Sequence, residues 1–329
     1  MVRLDPNGDT STFPKRSHLP HVSGTPQGAA WFWGGNDELG RLNLLTPQRI
    51  LKATQSCVRT GHVVSLNLAL SQPDPELLGR KTLKHRMHLL TDGRFDDELS
   101  LNMQSSSQWN GFRHFADPRT GFFYNGVTSD LIAPDEGEEP RTTKLGIDVW
   151  AKRGIVGRGV LLDVFTWKKE AYDPFTTELI TAGDLKRCAE SQNVSFETGD
   201  ILLVRTGWLH KYHSLTDAER KKKAEIDMMQ HKYVGLESSD AMKDFLHDMY
   251  FAAAVTDSLN FEAWPPISFE GSLHASMLPL WGMPIGELWD LEALAEQCRG
   301  THRWDFLLTS APGNVPGGVG SPPNALAIF

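Results

Sequence analysis

Four short apolar runs decide what this chain can fold into. Val160–Phe165 follows a glycine-rich stretch, Ile201–Arg205 follows Gly199-Asp200, and Phe251–Thr256 and Trp304–Thr309 complete the set. Each reads as a buried strand. Helical patterns lie between them at Asp184–Gln192, Ser239–Met249 and Asp290–Gln297. In the second, Met242, Phe245, Leu246 and Met249 fall on one side. This alternation predicts an α/β fold and leaves the strand order open. No internal repeat interrupts it.

A length of 329 residues allows one large domain or two small ones. Hydrophobic residues at 40% and charged residues at 22% suit a globular protein with a sizeable core. The formal net charge of −8 argues against a nucleic-acid partner, which selects clustered basic surface. The densest basic run, Arg220–Lys223, has acids on both sides and reads as a solvated helix face. The three cysteines, Cys57, Cys188 and Cys298, are far apart and suggest neither a disulfide framework nor a cysteine zinc site. The first residues lack the apolar core of a signal peptide, and no segment approaches the length of a membrane span. A cytoplasmic protein with no membrane partner is expected. Residues 1–30, rich in Pro, Gly, Ser and Thr, are expected to form an extended arm. An acidic exposed loop is expected within Leu131–Thr143, through Pro134–Pro140. The stretch Ala311–Pro323 reads as a chain of turns, because it lacks the Gly-Lys-Ser/Thr ending of a phosphate loop.

The most specific local pattern is Gln104-Ser-Ser-Ser-Gln108-Trp109-Asn110-Gly-Phe-Arg-His114. It is preceded by Trp33–Pro47 and followed by Gly154–Asp163, by Gly199–Trp208, and by His274 with Glu287 in Pro284–Trp289. In this order the segments resemble the cyclase family, which includes bacterial kynurenine formamidase and isatin hydrolase, in the branch seen in fungi. The family motif reads His-x-Gly-Thr-His-x-Asp-x-Pro-x-His. Its leading histidines fall on Gln104 and Gln108, its aspartate on Asn110 and its last histidine on His114. The resemblance implies a swivelling β/α/β fold around a barrel-like mixed sheet, with residues 31–329 as one catalytic domain, usually in a homo-oligomer. It also implies metal-assisted attack of water on an amide, lactam or ester carbonyl of a small molecule.

The residues themselves modify that expectation. Amides are weak, neutral ligands, so Gln104, Gln108 and Asn110 remove two imidazoles and one negative charge from the family's metal set. His114, His274 and Glu287 could still hold zinc or manganese as two histidines and a carboxylate. The preferred reading is a pocket without a metal cofactor, in which Glu287, His274 and His114 serve as acid–base groups. Gln104, Gln108 and Asn110 would then bind a substrate carbonyl or hydroxyl. Such a pocket suits dehydration or cyclisation as well as hydrolysis, and a binding protein without turnover is the third alternative. Kynurenine formamidase activity itself is not expected, since its metal ligands are the ones replaced. Trp109 and Tyr124 are candidates to line the pocket, and Arg205 to bind a carboxylate. Asp257 ends a predicted strand and could equally form a turn. His85 and His88 have ligand-like spacing, but a basic surface segment accounts for them better. Gly-x-Ser-x-Gly is absent, which removes the usual sign of an α/β-hydrolase.

Overall fold

A computed structural model describes residues 3–132 and 141–329. The acidic stretch Pro134–Pro140 lies outside the described residues. Nine strands form one mixed sheet, curled into a half-barrel. Across it the order is Val63–Ser65, Ala325–Ile328, Asp305–Ser310, Ile155–Asp163, Ile201–Arg205, Ala253–Thr256, Ile285–Glu287, Gln108–Asn110 and Gly320–Ser321. The four strands from Ile155–Asp163 to Ile285–Glu287 run parallel, and the flanking pairs are antiparallel.

The parallel centre is buried because helices cover it, so its strands are apolar throughout. Val160, Leu161, Leu162 and all of Ile201–Val204 are inaccessible. Sequence sets the helix ends. Thr46 caps Pro47–Cys57 through Arg49 N with proline in the first turn. Thr181 and Asp184 form a capping box for Ala182–Ser191, and Ser239 caps Asp240–Asp248. The helix at Glu292–Thr301 starts two residues later than its pattern suggested.

Two local expectations change. The strand expected at Val160–Phe165 runs from Ile155 to Asp163, and Val164–Trp167 is helical. The cause is Asp163, whose carboxylate accepts from Thr166 N and caps a new turn. The glycine-rich tail contains more than turns: Gly320–Ser321 pairs antiparallel with Asn110 and Trp109. Only glycine permits that approach, since a Cβ at Gly320 would lie 2.7 Å from the Trp109 carbonyl oxygen.

Within residues 3–30, Arg16–His18 lies against the helix Asp240–Asp248. Phe13 is buried edge-on to Tyr250, and Arg16 binds Asp244 and Asp240. His85 and His88 sit in an exposed hairpin, Lys84–Leu89 with Phe95–Ser100, where they face Asp97 and Glu98. Arg220–Lys223 lies on the exposed helix Asp217–Ala224. Among the described residues, no helix is long and apolar enough to cross a membrane.

Candidate active site

The motif residues meet their distal partners because two strands pair. Glu287 is directly opposite Gln108, and Ile285 is opposite Asn110. Side chains alternate along a strand, so Gln108 and Asn110 share one face with Glu287 while Trp109 points to the other. Trp109 instead packs in the core against Trp289 and Trp150 and donates to Ser310 Oγ. Its expected place in the pocket is therefore not observed, and pleating is the reason.

Glu287 is the buried anion around which the cluster is built. Its Oε2 accepts from Gln108 Nε2 at 2.8 Å and Asn110 Nδ2 at 2.9 Å. Its Oε1 accepts from Phe261 N at 2.8 Å and faces His274 Nε2 at 3.4 Å. Burial opposes its charge, but the hydrogen bond and charge of His274, with the Asn110 amide, hold its pKa down at about 2.

His274 lies in the first turn of the helix Leu273–Met277, capped by Ser272. Its Nδ1 lies 2.7 Å from Glu262 Oε2, and Glu262 Oε1 also accepts from the His274 backbone N. Burial alone would favour neutral imidazole. The Glu262 and Glu287 carboxylates outweigh it and push the His274 pKa up to about 10. His274 is thus an imidazolium held between two carboxylates.

His114 has the opposite character. Its Nδ1 faces Gln104 Nε2 at 2.9 Å, and the same amide donates to Asn110 Oδ1 at 2.7 Å. Burial, reinforced by the His274 charge, pulls its pKa down to about 4. Since Nδ1 accepts from an amide N–H, the ring proton sits on Nε2. The two imidazole centroids are 5.9 Å apart.

His114, His274, Glu262 and Glu287 line one side of a cleft of about 310 Å³. Phe115, Leu259 and Trp264 contribute apolar wall, and Arg80, Tyr233, Asn260 and Ser272 add further polar groups. The pattern in the sequence did not reveal Glu262, Arg80 or Tyr233. They lie on irregular segments or at an isolated bridge, where no periodicity marks them.

Two further expected members lie elsewhere. Tyr124 is buried, and its hydroxyl donates to Asp37 Oδ2 at 2.9 Å within the Trp33–Pro47 segment. Arg205 is spent on ion pairs with Asp163 at 2.8 Å and Glu292 at 2.7 Å, so its fork is not free for a ligand. Asp257 accepts from Thr206 N, Thr206 Oγ1 and Gly207 N, so its carboxylate ties the end of its strand to the segment after Ile201–Arg205.

The metal implied by the family resemblance can be tested against these donors. Gln108 and Asn110 turn N–H groups, not oxygens, toward Glu287. Glu287 Oε2 already bonds both amides, and His274 Nε2 is turned to Glu287 Oε1. Among the described residues, no three His, Cys, Asp or Glu side chains are gathered to hold an ion. Neutral amides at positions 104, 108 and 110 supply neither the imidazoles nor the negative charge of the family's metal set.

A half-barrel α/β sheet with a buried His–carboxylate cluster beneath an apolar cleft defines the class of this molecule. Residues 33–263 match the model of the Cyclase family, and the chain belongs to that family. A solved structure described as a novel cyclase is 29% identical, with TM-score 0.80, covering 92% of this chain and 99% of its own. Isatin hydrolase A from Ralstonia solanacearum is 15% identical, with TM-score 0.56, over 86% of this chain and 98% of its own. An isatin hydrolase bound to the product analogue thioisatinate is 17% identical, with TM-score 0.54, over 86% and 99%. The isatin hydrolases share the fold. No curated protein matches the chain in sequence.

Proposed function

We propose that this protein is an enzyme that hydrolyses an amide, lactam or ester carbonyl of a small organic metabolite, with His274 and Glu287 as its acid–base pair. The observation that carries this reading is His274 held between Glu262 at 2.7 Å and Glu287 at 3.4 Å at the wall of an apolar cleft. In the step, water attacks the carbonyl carbon and Glu287 accepts the water proton. His274 Nε2 gives its proton to the departing nitrogen or oxygen, and His114 Nε2–H donates to the carbonyl oxygen as negative charge develops there. The 3.4 Å between His274 Nε2 and Glu287 Oε1 lets the proton return and reset the pair.

The proposal includes operation without a divalent metal, because the amide positions supply no anionic ligand to offset a buried dication. It also includes cytoplasmic location and a homo-oligomer, both as first expected from sequence. Trp33–Pro47 supports placement in the branch found in fungi.

The same donor set favours a second reading, a non-hydrolytic dehydratase or cyclase. There Glu287 would take a proton from carbon and His274 would protonate the leaving hydroxyl, with no water needed as nucleophile. Turnover in ¹⁸O-labelled water separates the two. Amides, lactams and esters of aromatic acids should yield products carrying one labelled carboxylate oxygen. Loss of water from β-hydroxy carbonyl substrates without label uptake would establish the second reading instead. Absence of turnover across both panels would leave a binding protein.

A further inference from the structure

We infer that the cleft has a built anion subsite, formed by Arg80 and Tyr233, and that it takes the carboxylate of an aromatic or apolar carboxylic acid. This deepens the function proposed above, and rests on it only in placing the reacting carbonyl at the His274 end.

The subsite stands on two polar groups that the protein leaves uncommitted. Tyr233 is 1% exposed, lines the cleft, and has no hydrogen-bond partner for its hydroxyl among the described residues. Its ring is fixed by His231, stacked at 5.3 Å, and by Trp208, edge-on at 5.9 Å. A buried phenol normally finds an acceptor, and leaving it without one is unfavourable. Arg80 lies in the same cleft and spends Nη1 on the Gln104 carbonyl oxygen. No carboxylate among the described residues pairs with its remaining N–H groups, in contrast to Arg205 or Arg158.

Each carboxylate of the cleft already has a partner in contact. His274 answers both Glu262 and Glu287, and His114 is neutral. Burial lowers the Arg80 pKa and raises that of Tyr233, and Arg80 is the group that works against the latter shift. A guanidinium and an unpartnered phenol lining one cavity together suit a planar, acceptor-rich anion. The fork of Arg fits a carboxylate better than a spherical ion. Phe115, Trp264 and Leu259 supply the apolar surface for the rest of such a ligand.

Leu78 and Gly79 explain how Arg80 reaches this place. Both have positive φ, 62° and 65°, which turns the chain so that Leu78 and Arg80 line the cleft together.

The test compares binding of phenylpropanoate and its neutral amide to the full chain by ligand-observed NMR and calorimetry. Wild type should favour the acid by roughly tenfold or more, as expected for charge-assisted hydrogen bonds. Arg80→Gln should abolish that preference. Tyr233→Phe, which keeps the ring packing, should reduce it severalfold. Folding of each variant is checked by circular dichroism. Equal binding of acid and amide by wild type, no binding of the acid at millimolar concentration, or a preference that survives both substitutions would overturn the inference. Binding is read without turnover, so the proposed reaction can fail while the subsite stands. Conversely, turnover of carboxylate-bearing substrates unaffected by Arg80→Gln would sink the subsite and leave the reaction.

Discussion

At the scale of single residues, the identity of position 110 separates this site from the family pattern. An aspartate there would face Glu287 across a 2.9 Å contact, and two buried carboxylates so close need a cation or a shared proton. Asparagine replaces that repulsion with a hydrogen bond. Combining Gln104→His, Gln108→His and Asn110→Asp should therefore create divalent binding that calorimetry and metal analysis of the purified protein detect. The unmodified chain should purify with little zinc or manganese and keep its activity in chelator. Stoichiometric metal whose removal abolishes activity, and whose return restores it, would defeat the metal-free proposal. His274 gives a second expectation at this scale. Its folded pKa of about 10 is above its ordinary value of 6.5. Its contribution to stability is fully present below pH 6.5 and is lost as pH rises through 10. Thermal melts of wild type should fall along that limb. His274→Gln should flatten it, and an unchanged slope would mean that the imidazolium is not held as described.

At the scale of elements, legibility followed periodicity. The strand at Ile201–Arg205 was readable to the residue, since Gly199-Asp200 marks its start and its apolar run has no interruption. The convergence of His114, His274 and Glu287 was suggested only through the motif resemblance. Trp109 and Tyr124 were misplaced because proximity in sequence to a motif does not say which face a side chain takes. Val164 and Phe165 were read as strand because their apolarity continues the run, while the cap formed by Asp163 depends on its rotamer and not on composition. Arg80, Tyr233 and Glu262 carry no periodic signal, so only tertiary structure gathers them. The short strand Gly320–Ser321 was hidden in the same way, inside a stretch dominated by turn residues. Its role can be tested. Gly320→Val would drive a side chain into the Trp109 carbonyl, so the tail must leave the Gln108–Asn110 strand. Overpacking of this kind costs about 1–3 kcal/mol. The melting temperature should drop, and activity should fall with it as Gln108 and Asn110 lose their backing. An unchanged melting temperature would show that the tail does not brace the site.

At the scale of the whole molecule, Glu287 joins parts of the chain that are distant in sequence. Its carboxylate receives groups from residues 108 and 110, from Phe261 and from His274, so site and scaffold are one object. On sequence alone, Glu287→Gln looks near-isosteric and harmless to the fold. The four converging donors change that expectation. A carboxamide has one acceptor oxygen, and its NH₂ group must face N–H groups that also donate. It also strips the imidazolium of one of its two carboxylates. Removing one member of a buried ion pair typically costs about 3–5 kcal/mol. Glu287→Gln should therefore lower the melting temperature clearly, while circular dichroism at low temperature still reports a folded protein. In that folded state, turnover should fall by roughly 10²–10⁴, the usual range for loss of a general acid–base group. Substrate affinity should change much less, because the apolar wall and the Arg80 side of the cleft are untouched. A folded Glu287→Gln protein with near-native kcat would remove Glu287 from the chemistry and leave it as the tie that holds two strands, a loop and a helix together.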